Sequence, residues 1–339
     1  MKNRKSMLIV LVVLVCLVMT PLAFAGGEGE EGAGESGAAK RYTLSSSDIG
    51  GTWFVIGATF ATQWNAEIPG VIWSCDTRGG GGTNAYWSAL GKVDAAINFM
   101  PSFQQAVDGT GFFKDKGKQD MSNVRSVMDL YGVYITVVAR KDSDLEYLED
   151  LRGHRVAVEQ PGSAPQTMLP WFADIWGWDD YKKEIKCEYI ADYEAMDAVI
   201  AGRIDAYFVT AGLGQPAVSE AFERGNLKVL KAKQSTLDKL SAKYPIMVPG
   251  EIPAGVYRGQ DAVVVPNTRS VLHVEKDLPD DLVYQMCKVI HDRLEDGTLQ
   301  ATHRCFRETG FPPYIASMAL TPLHPGAKRF YEEIGVDLE

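Results

Sequence analysis

The sequence predicts an α/β protein in two lobes, and three observations carry that reading. Short apolar strands alternate with helical segments from Arg41 onward, the pattern of a mostly parallel sheet covered on both faces. A weak internal repeat sets Ala89-Leu90-Gly91-Lys92-Val93-Asp94-Ala95-Ala96 beside Ile200-Ala201-Gly202-Arg203-Ile204-Asp205-Ala206-Tyr207. At 339 residues the chain exceeds what one small core needs, so two lobes are the natural division. With 46% hydrophobic and 23% charged residues the composition is that of a globular chain, which excludes wholesale disorder. The formal charge of −10 comes without a concentrated basic stretch, so no nucleic acid partner is expected.

The elements follow in order. Lys2, Arg4 and Lys5 precede an unbroken apolar run over residues 7–19, and Ala23-Phe24-Ala25 supplies small residues at a cleavage site. This is the pattern of a secretory signal peptide spanning residues 1–25. The run is too short to cross a bilayer, which needs roughly 20 residues. Cys16 does not read as a lipid attachment site, because Val15 precedes it and the apolar run continues beyond it. Removal of residues 1–25 takes three basic and no acidic residues from a chain of −10, leaving −13. Residues 26–40 are low in complexity and acidic and form a flexible linker. The Gly27-x-Gly29-x-x-Gly32 match within it is spurious as a dinucleotide site, since no strand precedes it and no apolar helix follows.

Tyr42-Thr43-Leu44 opens a first strand; Gly50-Gly51-Thr52 is a turn, and Trp53, Ile56, Gly57, Phe60 and Trp64 recur at helical spacing. Residues 71–75 form a second strand, followed by the glycine-rich stretch Arg78 to Asn84 and a helix; residues 93–99 form a third strand. In each copy of the repeat a helix ends at a glycine suited to the left-handed C′ position and a strand begins directly after. The repeat is either two ordinary helix-to-strand corners or two lobes on one plan. Residues 133–139 and 261–266 are β-branched runs that cross between lobes, so residues 41–133 with 261–339 form lobe one and residues 134–260 lobe two. Helical segments at 282–294 and 328–334 complete lobe one. Such crossings act as a hinge, and the cleft between the lobes becomes the ligand site.

Two loops carry the chemistry. Gly50-Gly51-Thr52 and Pro161-Gly162-Ser163 each precede an amphipathic helix. Glycine admits a ligand close to the backbone, and a helix N-terminus offers unpaired N–H groups. Thr52 and Ser163 are either ligand donors or simple N-caps. Arg78 is either a bidentate carboxylate clamp or a solvated side chain. The candidate ligand-binding set is Gly50, Gly51, Thr52, Trp53, Arg78, Gly80, Gly81, Asn84, Phe99, Gly162, Ser163 and Thr167. Trp53, Phe54, Trp87, Phe99 and Trp171 lie close to these loops; most aromatics at such spacing are core, and one or two of them wall the cleft. No HExxH, Walker loop or GxSxG elbow occurs, so neither catalytic residues nor a cofactor are expected. Cys287-x3-His291 with His303-x-Cys305 matches no usual zinc spacing, and no metal is expected. Four cysteines remain after signal removal; Cys287 and Cys305 are the first choice for a disulfide, with free buried thiols the alternative.

These residues resemble a known family. Gly50-Gly51-Thr52-Trp53-Phe54-Val55-Ile56-Gly57 is similar to the GGTYYPLG opening of the TAXI solute-binding proteins, receptors of one branch of the tripartite ATP-independent periplasmic (TRAP) transporters. The likeness continues in order through Gly91 to Ala95, Asp150-Leu151-Arg152-Gly153-His154-Arg155, Pro161-Gly162-Ser163, Gly202 to Ala206, Pro253-Ala254-Gly255-Val256-Tyr257 and Leu323-His324-Pro325-Gly326-Ala327. The resemblance implies a two-lobed periplasmic-binding-protein fold of type II, a periplasmic location, no enzyme activity, a monomeric chain, and delivery of a small organic anion to a TRAP permease driven by an ion gradient. A secreted enzyme on a similar fold, or the binding protein of an ATP-driven importer or sensor kinase, is the alternative.

The sequence departs from that family around the pocket. Thr77-Arg78-Gly79-Gly80-Gly81 lacks a hydroxyl found in the family's Ser-Thr-Gly-Gly-Ser. Phe99-Met100-Pro101 replaces a polar Gln-Ser-Asp, and Gly162-Ser163-Ala164-Pro165 replaces Gly-Ser-Gly-Thr, with Thr167 close behind. The loss of an acidic residue at Pro101 removes a partner for a ligand ammonium. The expected ligand is therefore a 2-oxo, hydroxy or aromatic carboxylic acid rather than glutamate or glutamine, unless a lobe-two acid such as Asp205 or Glu159 accepts a ligand ammonium instead.

Overall fold

The parallel strands fall into two sets of three with the same internal order. A computed structural model of the chain describes residues 39–311 and 321–338; the expected signal peptide and most of the expected linker lie outside the described residues. In the first set, β1 (Lys40–Ser45) lies between β2 (Val71–Asp76) and β3 (Ala95–Phe99), parallel to both. In the second set, β5 (Arg155–Ala157) lies between β6 (Lys186–Glu188) and β7 (Ala206–Ala211), again parallel to both. Each set thus places its first strand in the centre. The helices repeat the plan: α1 (Thr52–Glu67), α2 (Gly81–Ala89) and α3 (Met100–Asp108) follow the strands of the first set, and α4 (Ala164–Trp176), α6 (Asp192–Ile200) and α7 (Pro216–Arg224) those of the second. The short α5 (Tyr181–Glu184) precedes β6.

Two long strands join the sets into one sheet of order β2-β1-β3-β10-β4-β7-β5-β6. β4 (Val124–Arg140) pairs antiparallel with β10 (Val263–Glu275) over residues 124–134 and with β7 over residues 134–139. β10 pairs with β3 through Ser270–Val274, while its first residues pair with β9 (Val248–Ile252). β8 (Leu227–Val229) adds to β4, and α8 (Gln234–Lys243) precedes β9. Both β-branched runs expected to cross between lobes therefore belong to these strands. The result is a two-lobed mixed α/β fold, within which residues Ala38–Glu339 form one compact unit.

The sequence repeat has one structural purpose. Gly91 and Gly202 close their turns at φ +61° and +67°, where a side chain would be strained. Three residues later, Asp94 accepts the Thr43 N–H at 2.7 Å and Asp205 accepts the Arg155 N–H at 2.8 Å. Each aspartate ties the start of its own third strand to the central first strand. The third strand is shorter than expected because Val93 and Asp94 belong to this turn.

The core is aromatic on the α1 side. Trp53, Ile56, Phe60 and Trp64 recur along one face of α1, and all are buried. Trp64 donates its indole N–H to the Met286 carbonyl of α9 (Asp280–Glu295) at 3.2 Å, and so fastens a helix from the end of the chain onto the first. The last described helix is Pro325–Glu333, and its Phe330 and Tyr331 are buried. The disulfide expectation is corrected: Cys287 and Cys305 are both free and buried. Cys305 instead points its thiol at the Leu213 carbonyl, 3.4 Å away, and packs against Gly212.

Candidate functional site

A cavity of about 150 Å³ lies where the carboxyl ends of the two parallel sets meet. The connection after β1 contributes Ser47, Asp48, Gly51, Thr52 and Trp53, and the one after β2 contributes Arg78, Gly79, Gly80 and Thr83. From the second set come Glu159, Pro161 and Ser163 after β5, Asp192 after β6, and Thr210 and Gln215 at and beyond the end of β7. Tyr131 and Val133 of β4 form the floor. This is the position at which open α/β sheets bind ligands, outside the carboxyl ends of their strands.

The two hydroxyl loops occupy equivalent places. Gly51 is the N-cap of α1 and Thr52 its first residue; Ser163 is the N-cap of α4. Neither hydroxyl caps its helix; Thr52 Oγ1 is without a hydrogen-bond partner, and the Ser163 hydroxyl is turned toward the Glu159 carboxylate. Thr52 is only 4% exposed. A buried hydroxyl without a partner costs free energy in the empty protein, and a ligand in the cavity removes that cost.

The other sequence-selected residues divide. Thr52, Trp53, Gly51, Arg78, Gly80 and Ser163 line the cavity; Gly50, Gly81, Asn84, Phe99, Gly162 and Thr167 do not. Asn84 is fully buried and makes four bonds: its Oδ1 accepts from Ser45 Oγ and the Gly80 N–H, and its Nδ2 donates to the Ser46 and Ile97 carbonyls. It holds the β2–α2 loop in place from behind. Thr167 turns its hydroxyl back to the Ser163 carbonyl at 3.1 Å. Phe99 is fully buried, with its ring 5.5 Å from that of Trp53, and a side chain at Gly81 would strike it. Arg78 turns away: its guanidinium bonds Asp76 at 2.5 Å, and its side chain is 80% exposed. The stretch expected to be a polar-loop equivalent is no loop at all, since Met100 and Pro101 form the buried first turn of α3.

Three contacts bring the halves together around the cavity. The Thr83 N–H donates to the Gly162 carbonyl at 3.1 Å. Gln105 Nε2 donates to the Thr167 carbonyl at 2.7 Å. The Tyr193 ring lies over Gly50, whose φ of +100° and lack of a side chain allow the approach.

The acidic residues were not in the sequence-selected set. Tyr207 places its hydroxyl 2.9 Å from Glu159 Oε1 and 3.3 Å from Asp192 Oδ1. Gln215 Nε2 donates to the same Asp192 oxygen at 2.5 Å, and the Asp192 N–H donates to the Tyr207 hydroxyl. Burial, with Asp192 beside it, pushes the Glu159 carboxyl up to about 8. Burial, with Asp48 nearby, pushes Asp192 up to about 7, against the opposing bonds from Tyr207 and Gln215. Burial also raises Asp48 and holds the Tyr207 phenol well above its ordinary value. Glu159 and Asp192 are the only non-glycine residues among those described with positive φ, at +57° and +45°. Strain of this kind, on the order of 1–3 kcal/mol per residue, gathers at functional sites. Glu159 stands just before Pro161-Gly162-Ser163, a visible signal; nothing local in the sequence marks Asp192.

A model of the NMT1-like family matches residues 45–335 of this chain. Among solved structures, the chain is similar to a putative L-cystine ABC transporter protein from Listeria monocytogenes, at 12% identity and TM-score 0.49, over 78% of this chain and 94% of that one. It is also similar to the alkanesulfonate-binding protein from Xanthomonas axonopodis pv. citri, at 14% identity and TM-score 0.48, over 86% and 83%. A third similarity is to the periplasmic aliphatic sulphonate binding protein from Escherichia coli, at 15% identity and TM-score 0.45, over 86% and 83%.

Proposed function

Because this chain belongs to the NMT1-like family, we propose that it is an extracytoplasmic solute-binding protein, which captures a small carboxylate-bearing solute between its lobes and hands it to membrane permease subunits. The observation that carries this reading is the cavity built from both halves of the chain, with the hydroxyls of Thr52 and Ser163 at two helix N-termini and that of Thr52 unpaired. Those hydroxyls and the first-turn amides of α1 and α4 hold the carboxylate. The lobes divide at the crossing strands, as residues 41–133 with 261–339 and residues 134–260, and the crossings let them close on the solute. The contacts of Thr83 with Gly162 and of Tyr193 with Gly50 then belong to the closed form.

The N-terminal signal pattern supports export to the periplasm. Two readings of the permease remain. An ATP-driven importer is the class of the putative L-cystine ABC transporter protein to which the chain is similar, and the ion-gradient TRAP permease rests on the ordered motifs alone. A thermal-shift screen of carboxylates and amino acids tests the reading, because a solute that binds only the folded chain raises its melting temperature. Uptake of the hit into vesicles carrying the permease, powered by ATP or by an ion gradient, separates the two permease classes.

A further inference from the structure

The charges around the cavity go against the plain carboxylate that the sequence led us to expect. Three carboxylates face it, Asp48 after β1, Glu159 after β5 and Asp192 at the start of α6, together with the phenol of Tyr131 on β4; Tyr207 on β7 backs the pair. The single basic residue in the lining, Arg78, gives its guanidinium to Asp76 outside. On the opposite wall the Thr52 hydroxyl, 4% exposed, has no partner. Tyr207 has one O–H to give to two carboxylates. The lining thus gathers three carboxylates with no basic side chain turned toward them, and what it lacks is a cationic donor.

We propose that the solute held here carries a protonated amine, whose N–H groups are accepted by the Glu159 and Asp192 carboxylates and whose remainder reaches Thr52. The inference rests on the receptor reading and names its ligand class. An inorganic cation is the poorer fit, since among the described residues no three acidic, histidine or cysteine side chains converge as metal ligands. A dicarboxylic amino acid such as glutamate brings a second anion toward Asp48 and is disfavoured; a neutral or net cationic amine is preferred.

The proton balance follows. With burial holding both acids up, helped by Asp192 at Glu159 and by Asp48 at Asp192, to about 8 and about 7, the empty pair retains a proton near neutrality. An entering ammonium stabilises both carboxylates as anions, and that proton passes to solvent. Binding releases about one proton near neutrality and up to two at pH 6, below both values, and tightens as pH rises toward 8.

The test uses the mature chain and matched probes: glycine, alanine, 4-aminobutyrate, ethanolamine and putrescine, each beside its hydroxy or oxo counterpart. Calorimetry is run at pH 6 and pH 8 in two buffers of different ionisation enthalpy. The expected result is an amine that binds about 10-fold or more tightly than its counterpart, with proton release and with affinity higher at pH 8. Glu159→Gln, and independently Asp192→Asn, removes most of that preference and its pH dependence while the melting transition persists. Equal or tighter binding of the hydroxy or oxo partner, with no pH dependence, overturns the amine inference and leaves the receptor reading standing. If neither series binds, the receptor reading fails and takes the inference with it.

Discussion

Glu159 and Asp192, on different elements and separated by 33 positions in the chain, meet at the hydroxyl of Tyr207, 2.9 and 3.3 Å from it. Two buried acids sharing one hydroxyl make folding sensitive to pH. Because the fold raises both pKa values, to about 8 and about 7, it binds more protons than the unfolded chain above the ordinary carboxylate range near 4. The contribution of this pair to stability is therefore full below that range and is lost as pH rises through 7 to 8. Glu159→Gln should raise the melting temperature of the ligand-free protein at pH 8 and leave it nearly unchanged at pH 4.5. A variant that melts below the parent at pH 8 would show that Glu159 is stabilised as an anion.

Thr52 and Asn84 predict opposite outcomes. Thr52 Oγ1 bonds nothing within the chain, so Thr52→Ala should change stability by less than about 1 kcal/mol and weaken solute binding by about 1.5–3 kcal/mol. Ser163→Ala should behave likewise. Calorimetry and melting curves on the two single variants check this, and full affinity in both would remove the hydroxyl pair from the site.

Asn84 should fail through folding instead. Asn84→Ala leaves Gly80 N–H, the Ser45 hydroxyl and the Ser46 and Ile97 carbonyls short of a partner in a buried place. The expected loss is about 3 kcal/mol or more of stability, read by urea unfolding, with binding lost only as the fold is lost.

Gly162 packs against Thr83 and Phe112, where the two proposed lobes touch. At φ +92° it leaves no room for a side chain, since a Cβ there would stand 2.3 Å from Thr83 Oγ1 and 2.9 Å from the Phe112 ring. Gly162→Ala should favour the open form, enlarge the radius of gyration measured by small-angle scattering in the presence of solute, and lower affinity. An unchanged radius would place closure elsewhere.

The repeated plan was legible because it left a mark at matching points: Gly91 and Gly202 at the turns, Asp94 and Asp205 holding the neighbouring strand. The helices at 52–67 and 280–295 were legible because their apolar faces recur at helical spacing. Thr52 and Ser163 stood out because a hydroxyl after glycines before an apolar helix is a local pattern. Asp192 could not be read in this way. Its burial is made by Tyr207 and Gln215, residues that come near only when β6 and β7 join one sheet, and an exposed aspartate at a helix start has the same local sequence. Met100 and Pro101, compared with a polar triplet of the resembled family, misled for the converse reason: they open α3, with the proline at a position that needs no N–H, and are buried.

The most direct measurement of the central claim is a mass balance on the purified mature chain incubated with a pool of amino acids, amines and organic acids. After rapid separation, the account predicts that one solute is retained at one equivalent per chain and recovered chemically unchanged, and that the Thr52→Ala, Ser163→Ala double variant retains little of it. Conversion of any compound in the pool, or equal retention by the double variant, would contradict it.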